Sequence, residues 1–491
     1  MTSPARSVLC AARGGAALFG AFPPLGLSLL ALPAIAALSG ATAGSARRGA
    51  LAGFVFGLAF FAPLLSWTAI AVGQLLPWLA LAVFQSLYMA VLGALWGRLP
   101  RRGIASALLM AGSLCGMEVV RSSFPLGGFP WGLLAFSQVS SPLLRTAPYL
   151  ATAGVTFLTA LLGIGLARAI GHLRRREAFS GAVLLTSVAG VLALAVAIPL
   201  PTRGADTARV GWVQGGPAHP GENRALSVTR NHRAETERLL ERSGELDLIV
   251  WPESSSDYDA RIKPEAYEEV VAAAKAAGTP LLMGTQSYVE AGRYNEYLAW
   301  RGDTVTDAYA KSAPVPFGEY IPYRAIFTRL SSATELITTD MLPGDGPATL
   351  TIDHRGRDLV IATPICFEIA IDRVMAEAMK AGSELIVVPV NSASFGKSAE
   401  SAQQLDQTIF RAVEYGRSAI QVSTVGHSAV IQPNGALTAI SPTWQPASGV
   451  AQVQLRSETT PAATLSLPLR YLALGALILA FIRAITTERQ P

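Results

Sequence analysis

Hydrophobic and polar positions divide the chain into two regimes. From residue 1 to residue 200 long apolar runs dominate and the only acids are Glu118 and Glu177, whereas charges of both signs crowd between Arg203 and Glu458. A helix rises about 1.5 Å per residue against a hydrocarbon core about 30 Å thick, so a span needs about 20 mostly apolar residues. Runs of that kind lie at 7–23, 25–43, 50–72, 75–97, 103–121, 147–170, 179–200 and 463–484. Phe22-Pro23-Pro24 turns the chain between the first two, which form either two short spans or one re-entrant pair. Phe129-Pro130-Trp131-Gly132-Leu133-Leu134 predicts an interfacial or re-entrant loop, and Trp67, Trp78 and Trp131 near span ends predict interface anchors.

In the polar half the pattern changes to short apolar runs alternating with helical stretches. Arg209-Val210-Gly211-Trp212-Val213, Asp247-Leu248-Ile249-Val250-Trp251, Pro280-Leu281-Leu282-Met283, Leu359-Val360-Ile361-Ala362 and Glu384-Leu385-Ile386-Val387-Val388-Pro389 predict buried strands. Helices are expected over 222–243, 264–277, 368–381 and 399–418, with Gly278 and Gly382 as stops. The prediction is a layered α/β domain, and chemistry in such domains gathers at the carboxyl ends of strands. The expected organisation is a helical transmembrane region over 1–202 with about seven spans, an extracytoplasmic domain over 203–460, and a last span with a cytoplasmic tail over 461–491.

Charge adds orientation. The clusters Arg47-Arg48, Arg98 with Arg101-Arg102, Arg174-Arg175-Arg176, and the tail residues Arg483 and Arg489 all fall on one side if the N-terminus is cytoplasmic. Basic residues in short loops mark the cytoplasmic face, which leaves the polar domain outside. The formal charge of +5 does not point to nucleic acid, because no folded basic face with groove-reading or stacking elements is visible. Of three cysteines, Cys10 and Cys115 belong to the apolar half, so Cys366 has no disulfide partner in its own domain. No His, Cys and Asp cluster has metal spacing, so no metal and no cofactor are expected. His427 is a lone histidine near a strand, read as packed or exposed rather than catalytic.

Three strand ends each offer a reactive group: Glu253 in Trp251-Pro252-Glu253, Lys311 in Tyr309-Ala310-Lys311, and Cys366 in Thr363-Pro364-Ile365-Cys366-Phe367-Glu368. Together a carboxylate, an ammonium and a thiol make a covalent-catalysis set, in which the base takes the thiol proton and the cation steadies the oxyanion. Spacing alone leaves Cys366 open between this role and that of a small buried hydrophobe.

These blocks, with Ser312-Ala313-Pro314-Val315-Pro316-Phe317-Gly318-Glu319-Tyr320-Ile321-Pro322 following Lys311, resemble the three catalytic blocks of the nitrilase, or carbon–nitrogen hydrolase, superfamily. The Val-Pro-Phe-Gly-Glu-Tyr stretch, the spans and Gly128-Phe129-Pro130-Trp131 narrow the resemblance to the apolipoprotein N-acyltransferase family. It implies a nitrilase-like αββα sandwich beside the transmembrane bundle. It also implies that Glu253 is the general base, Lys311 the oxyanion partner and Cys366 the thioester-forming nucleophile. Glu319 and Glu368 match two further acidic positions: Glu319 locks Lys311 or moves protons itself, and Glu368 either supports the site or is a first-turn carboxylate favoured by the helix dipole.

Phe317, Phe367, Asn391 and Ser394 are the implied substrate-contact candidates, and Val213-Gln214-Gly215, Arg411 with Glu414, and Ser428-Ala429-Val430-Ile431 also match. Phe367 stands where the family usually has Tyr, Ser394 where Trp is common, Gly216 where Asn is frequent and Pro314 where Leu is usual. The resemblance implies a monomeric enzyme of the bacterial cytoplasmic membrane, taking an acyl group from a phospholipid and delivering it to a diacylglyceryl apolipoprotein. Loops around Phe317 and 324–345 are expected to close over the thioester and exclude water. A tethered amidase and a non-catalytic scaffold are the competing readings. The number of spans disfavours the first, and the intact catalytic set the second.

Overall fold

The structure, a computed structural model, describes residues 4–329 and 331–486. It forms two compact units, Met1–Pro199 with Thr464–Pro491, and Leu200–Ala463. In the first unit, among the described residues, six helices are long and apolar enough to cross a membrane. They are Ala46–Leu64, Leu75–Trp96, Ile104–Arg121, Pro142–Arg174, Ala178–Val196 and Pro461–Thr486. The first pair of runs forms shorter helices: Pro4–Gly20 has 17 residues, and the second is confined to Ser28–Ala41. Arg489 lies outside the described residues.

Small residues set the closest helix approach in this unit. A Cβ on Gly49 would lie 2.0 Å from the Gly93 carbonyl oxygen and one on Gly93 would lie 2.1 Å from that of Gly49. Without a hydrophobic force between helices in lipid, such backbone proximity supplies the packing. Trp67 and Trp131 are not interface anchors. They are 8% and 2% exposed and their rings pack on each other at 5.2 Å. Arg121 donates from Nη1 to the Phe129 and Trp131 carbonyls at 2.8 and 2.9 Å, and Glu118 accepts from the Leu134 amide at 2.8 Å. The Phe129–Leu134 loop is thereby pinned to the helix Ile104–Arg121, and its tryptophan is drawn inward.

The second unit carries twelve strands in two six-stranded sheets. The first contains β1 (Asp206–Gln214), β2 (Leu248–Val250), β3 (Leu281–Val289), β4 (Gly292–Arg301), β5 (Thr304–Ala310) and β12 (Ala447–Leu455), ordered β12-β1-β2-β3-β4-β5. The second contains β6 (Thr349–His354), β7 (Arg357–Ala362), β8 (Leu385–Val390), β9 (Ala419–Ser423), β10 (Ala429–Ile431) and β11 (Leu437–Ile440), ordered β11-β10-β9-β8-β7-β6. The pairs β1–β2, β2–β3, β7–β8 and β8–β9 are parallel. Their crossovers carry the helices Arg224–Ser243, Pro264–Ala277, Asp372–Lys380 and Glu400–Tyr415.

Alternation along the strands places the layers. Leu248 and Val250 join Val210, Leu359, Ile361, Val387 and Ile420 in a core drawn from both sheets, while Ile249 and Trp251 turn to the helix side with Leu239, Val270 and Ala274. This is the αββα sandwich. Strands covered on both faces read as continuous apolar runs rather than alternating ones. Each fully buried aliphatic side chain contributes about 1.5–3 kcal/mol. Gly278 ends Pro264–Ala277 at φ +64, a left-handed position that glycine fills without strain.

Candidate functional site

The carboxyl ends of β2, β5 and β7 lead directly to Glu253, Lys311 and Cys366, and that of β8 to Asn391. Glu253 is 6% exposed and both of its oxygens are held. Oε1 accepts from Asn295 Nδ2 at 2.6 Å, and Oε2 accepts from the Asn391 backbone amide at 2.8 Å. Burial raises its carboxyl above the ordinary range, with Lys311 opposing and Glu319 adding to the shift. A raised carboxyl is a better proton acceptor near neutral pH than an exposed one.

Lys311 is fully buried, and its Nζ donates to Glu319 Oε1 at 2.6 Å. Burial works against the ammonium, yet Glu319 and Glu253 outweigh it and raise its pKa above the ordinary lysine value. The positive charge is therefore permanent over the working pH range. Glu319 also accepts from the Val315 amide at 2.7 Å, so one carboxylate fixes both the ammonium and the turn that follows it.

Cys366 opens a short 3-10 turn, Cys366–Ala370, with φ +55. A non-glycine residue in that region is uncommon and costs of the order of 1 kcal/mol or more. Burial pushes the thiol well above its ordinary value, Glu253 adds to this and Lys311 opposes it. The thiol thus rests protonated, and the neighbouring carboxylate makes a base available to it.

Glu368, fully buried, ties the segment that follows Lys311 to the one that carries Cys366. Its Oε1 accepts from the Ser312 and Ala313 amides at 2.8 and 3.0 Å and from Tyr309 OH at 2.9 Å, while Oε2 accepts from the Ile365 amide at 2.8 Å. It lies in the first turn of its helix, but its bonds reach the segment after Lys311 as well as the residue before Cys366.

The substrate-contact candidates separate. Phe317 is 43% exposed, has φ +61 and packs edge-on to Phe327 at 4.8 Å. Ser394 is exposed, whereas Phe367 is buried. Asn391 is committed to the fold, its amide on Glu253 and its Oδ1 accepting from Thr424 Oγ1 at 2.9 Å. Among the described residues no group of His, Cys, Asp and Glu is arranged to hold a metal ion.

Family models match on both units: "Apolipoprotein N-acyltransferase N-terminal domain" over residues 14–165 and "Carbon-nitrogen hydrolase" over residues 209–462. An apolipoprotein N-acyltransferase of Mycolicibacterium smegmatis is 34% identical over 488 residues, covering 91% of this chain and 80% of that protein. The chain belongs to the apolipoprotein N-acyltransferase family. The Geobacter metallireducens member is 29% identical, covering 92% of this chain and 90% of its own. A solved amidase of the nitrilase superfamily from Nesterenkonia is 17% identical with a TM-score of 0.39, over 56% of this chain and 98% of the amidase.

Within this apolipoprotein N-acyltransferase family member, the substitution of Gly216 for the frequent Asn has a backbone reason. Its φ is +79, where Gly and Asn are the residues best tolerated. Sequence reasoning missed Asn295 and left Tyr309 without a role. Asn295 sits inside β4, a strand not anticipated, so nothing marked it as a partner of Glu253. Tyr309 precedes Lys311 by two residues and is the one buried position of β5, a strand of otherwise mixed character, Thr-Val-Thr-Asp-Ala-Tyr-Ala.

Proposed function

We propose that the Leu200–Ala463 unit transfers a fatty acyl group from a membrane phospholipid to the α-amine of the diacylglyceryl-cysteine at an apolipoprotein N-terminus, through a thioester on Cys366. The observation that carries this reading is the grouping of Glu253, Lys311 and Cys366 at three strand ends, with each charge acting on the thiol. Glu253 takes the Cys366 proton, sulfur bonds to the ester carbonyl carbon, the ester C–O bond breaks, and Glu253 returns the proton to the departing lysophospholipid. In the second half the α-amine bonds to the thioester carbon, the C–S bond breaks, and the amine's proton passes through Glu253 to the Cys366 sulfur. Lys311 faces the oxyanion in both tetrahedral intermediates. Confinement of both substrates to a bilayer supports a multi-span chain, since proximity replaces diffusion from solution.

The basic clusters support a catalytic unit on the extracytoplasmic face of the bacterial cytoplasmic membrane. Mass spectrometry of a lipoprotein N-terminus tests the transfer. Cells lacking the protein, or carrying Cys366→Ser, should accumulate the diacyl form, and the wild-type gene should restore the triacyl form. N-acylation that persists with Cys366→Ser would refute the nucleophile. A cysteine replacing Tyr288, which is 63% exposed in the same unit, should be labelled from outside intact cells, and labelling only after permeabilisation would reverse the orientation.

A further inference from the structure

Each oxygen of Glu253 is held by a donor, and the two donors come from different sheets. Asn295 Nδ2 reaches Oε1 from within β4 at 2.6 Å, and the Asn391 amide reaches Oε2 from just past the end of β8 at 2.8 Å. The first donor is a side chain on a paired strand. The second is a main-chain N–H, and its direction is only as fixed as the turn that carries it.

That turn is held from the neighbouring strand. β9 runs parallel to β8 with Val390 opposite Ser423, and Thr424 is the first residue beyond it. Thr424 is 5% exposed, and each of its polar groups is engaged. Its amide donates to the Val390 carbonyl at 3.2 Å, its carbonyl accepts from the Gly216 amide at 3.1 Å, and its Oγ1 donates to Asn391 Oδ1 at 2.9 Å. Asn391 Oδ1 also accepts from the Ala393 amide at 3.2 Å, closing an Asx turn. The segment after Thr424 seats closely on the residue after Asn391: a Cβ on Gly426 would lie 2.7 Å from Ser392 Oγ and 2.8 Å from Ser423 Oγ.

We propose that Thr424 is a positioning residue for the base, its hydroxyl orienting the Asn391 amide that holds Glu253 Oε2. Any β-branched side chain would fill the same space, but only the hydroxyl gives Asn391 Oδ1 its second donor. The Asn391 bond favours the ionised carboxylate, against the burial that raises it. Lys311 and Asn295 also favour the ionised form, and Glu319 opposes it. The charge of Glu253 in turn raises Cys366 and Glu400. Loosening the Asn391 amide therefore raises the Glu253 carboxyl further, and the base stays protonated up to a higher pH.

The test is the rate at which an activated p-nitrophenyl ester acylates Cys366 in the full-length protein in detergent. Mass spectrometry follows it over about pH 5–9, from near the ordinary carboxyl range to the free thiol's. Thr424→Val keeps the shape and removes the hydroxyl. Weakening one hydrogen bond to the charged form should move the acidic limb up by about half a unit, a rate about threefold slower below the midpoint. At the top of the range the two rates should converge. Thr424→Ser keeps the hydroxyl and should follow the wild type. Asn391→Ala should shift the limb too, and the double variant should shift it no further, because the two residues act in one chain.

Coincident profiles for wild type and Thr424→Val, a rate lowered equally at every pH, or additive shifts in the double variant would overturn the proposal. Thr424→Ala adds no bulk and decides in the same way if Thr424→Val does not fold. The proposal rests on Glu253 as the base and Cys366 as the nucleophile. A wild type whose Cys366 is not acylated would remove that reading and the proposal with it. Acylation with an unmoved limb would remove the positioning role alone, and the ester requires neither phospholipid nor lipoprotein.

Discussion

Lys311 Nζ and Glu319 Oε1 lie 2.6 Å apart, with the ammonium wholly buried and the carboxylate retaining a 17% exposed edge. Burial works against the ammonium, and Glu319 is the first of the charges that offset it, ahead of Glu253. Removing one partner of a buried pair costs about 3–5 kcal/mol, and the exposed edge of Glu319 makes that an upper limit here.

Glu319→Gln should therefore lower both melting temperature and acylation. With its nearest carboxylate gone, burial lowers the Lys311 pKa and part of the oxyanion partner is lost at alkaline pH. The expected result is acyl-enzyme formation reduced more than tenfold, with the loss growing as pH rises. Near wild-type acylation across the range would show that Glu253 alone suffices to keep Lys311 charged.

Glu368 calls for a different measurement, because its hydrogen bonds join the segment after Lys311 to the residue before Cys366. Glu368→Gln turns an amide toward several N–H donors, and each buried group left unsatisfied costs about 1–3 kcal/mol. Tyr309→Phe removes one donor and should cost only about 0.5–1.5 kcal/mol. Thermal unfolding in detergent should rank wild type above Tyr309→Phe and that above Glu368→Gln. Equal stabilities for the two variants would mean that the clamp is not what holds the segments.

The difference between what was legible and what was not lies in periodicity and distance. β2, β7 and β8 are apolar on both faces and stand out in the sequence, as do the helices between them. β4 reads Gly-Arg-Tyr-Asn-Glu-Tyr-Leu-Ala-Trp-Arg, with polar and aromatic residues mixed, and was not anticipated. Asn295 was lost with it. Glu319 was legible as acidic and nearby, yet only the fold shows which oxygen meets Lys311. Trp67 and Trp131 misled because a tryptophan near a span end looks the same whether it meets lipid or another tryptophan.

Glu253 and Lys311 can be separated by pH, since loss of either simply lowers activity. Burial raises the Cys366 thiol, Glu253 raises it further, and Lys311 lowers it. Glu253→Gln removes the base but also a negative charge, so the thiol becomes more acidic while Lys311 still faces the oxyanion. Raising pH should then supply thiolate directly and recover much of the lost acylation. Lys311→Ala moves the thiol the other way and removes an oxyanion partner typically worth about 3–4 kcal/mol, which no proton restores. With an ester-labelled phospholipid, acyl-enzyme formation over about pH 6–10, bracketing the free thiol's pKa, should rise steeply for Glu253→Gln and stay low for Lys311→Ala. Equal recovery of the two variants, or recovery of Lys311→Ala alone, would reverse the assignment of base and oxyanion partner.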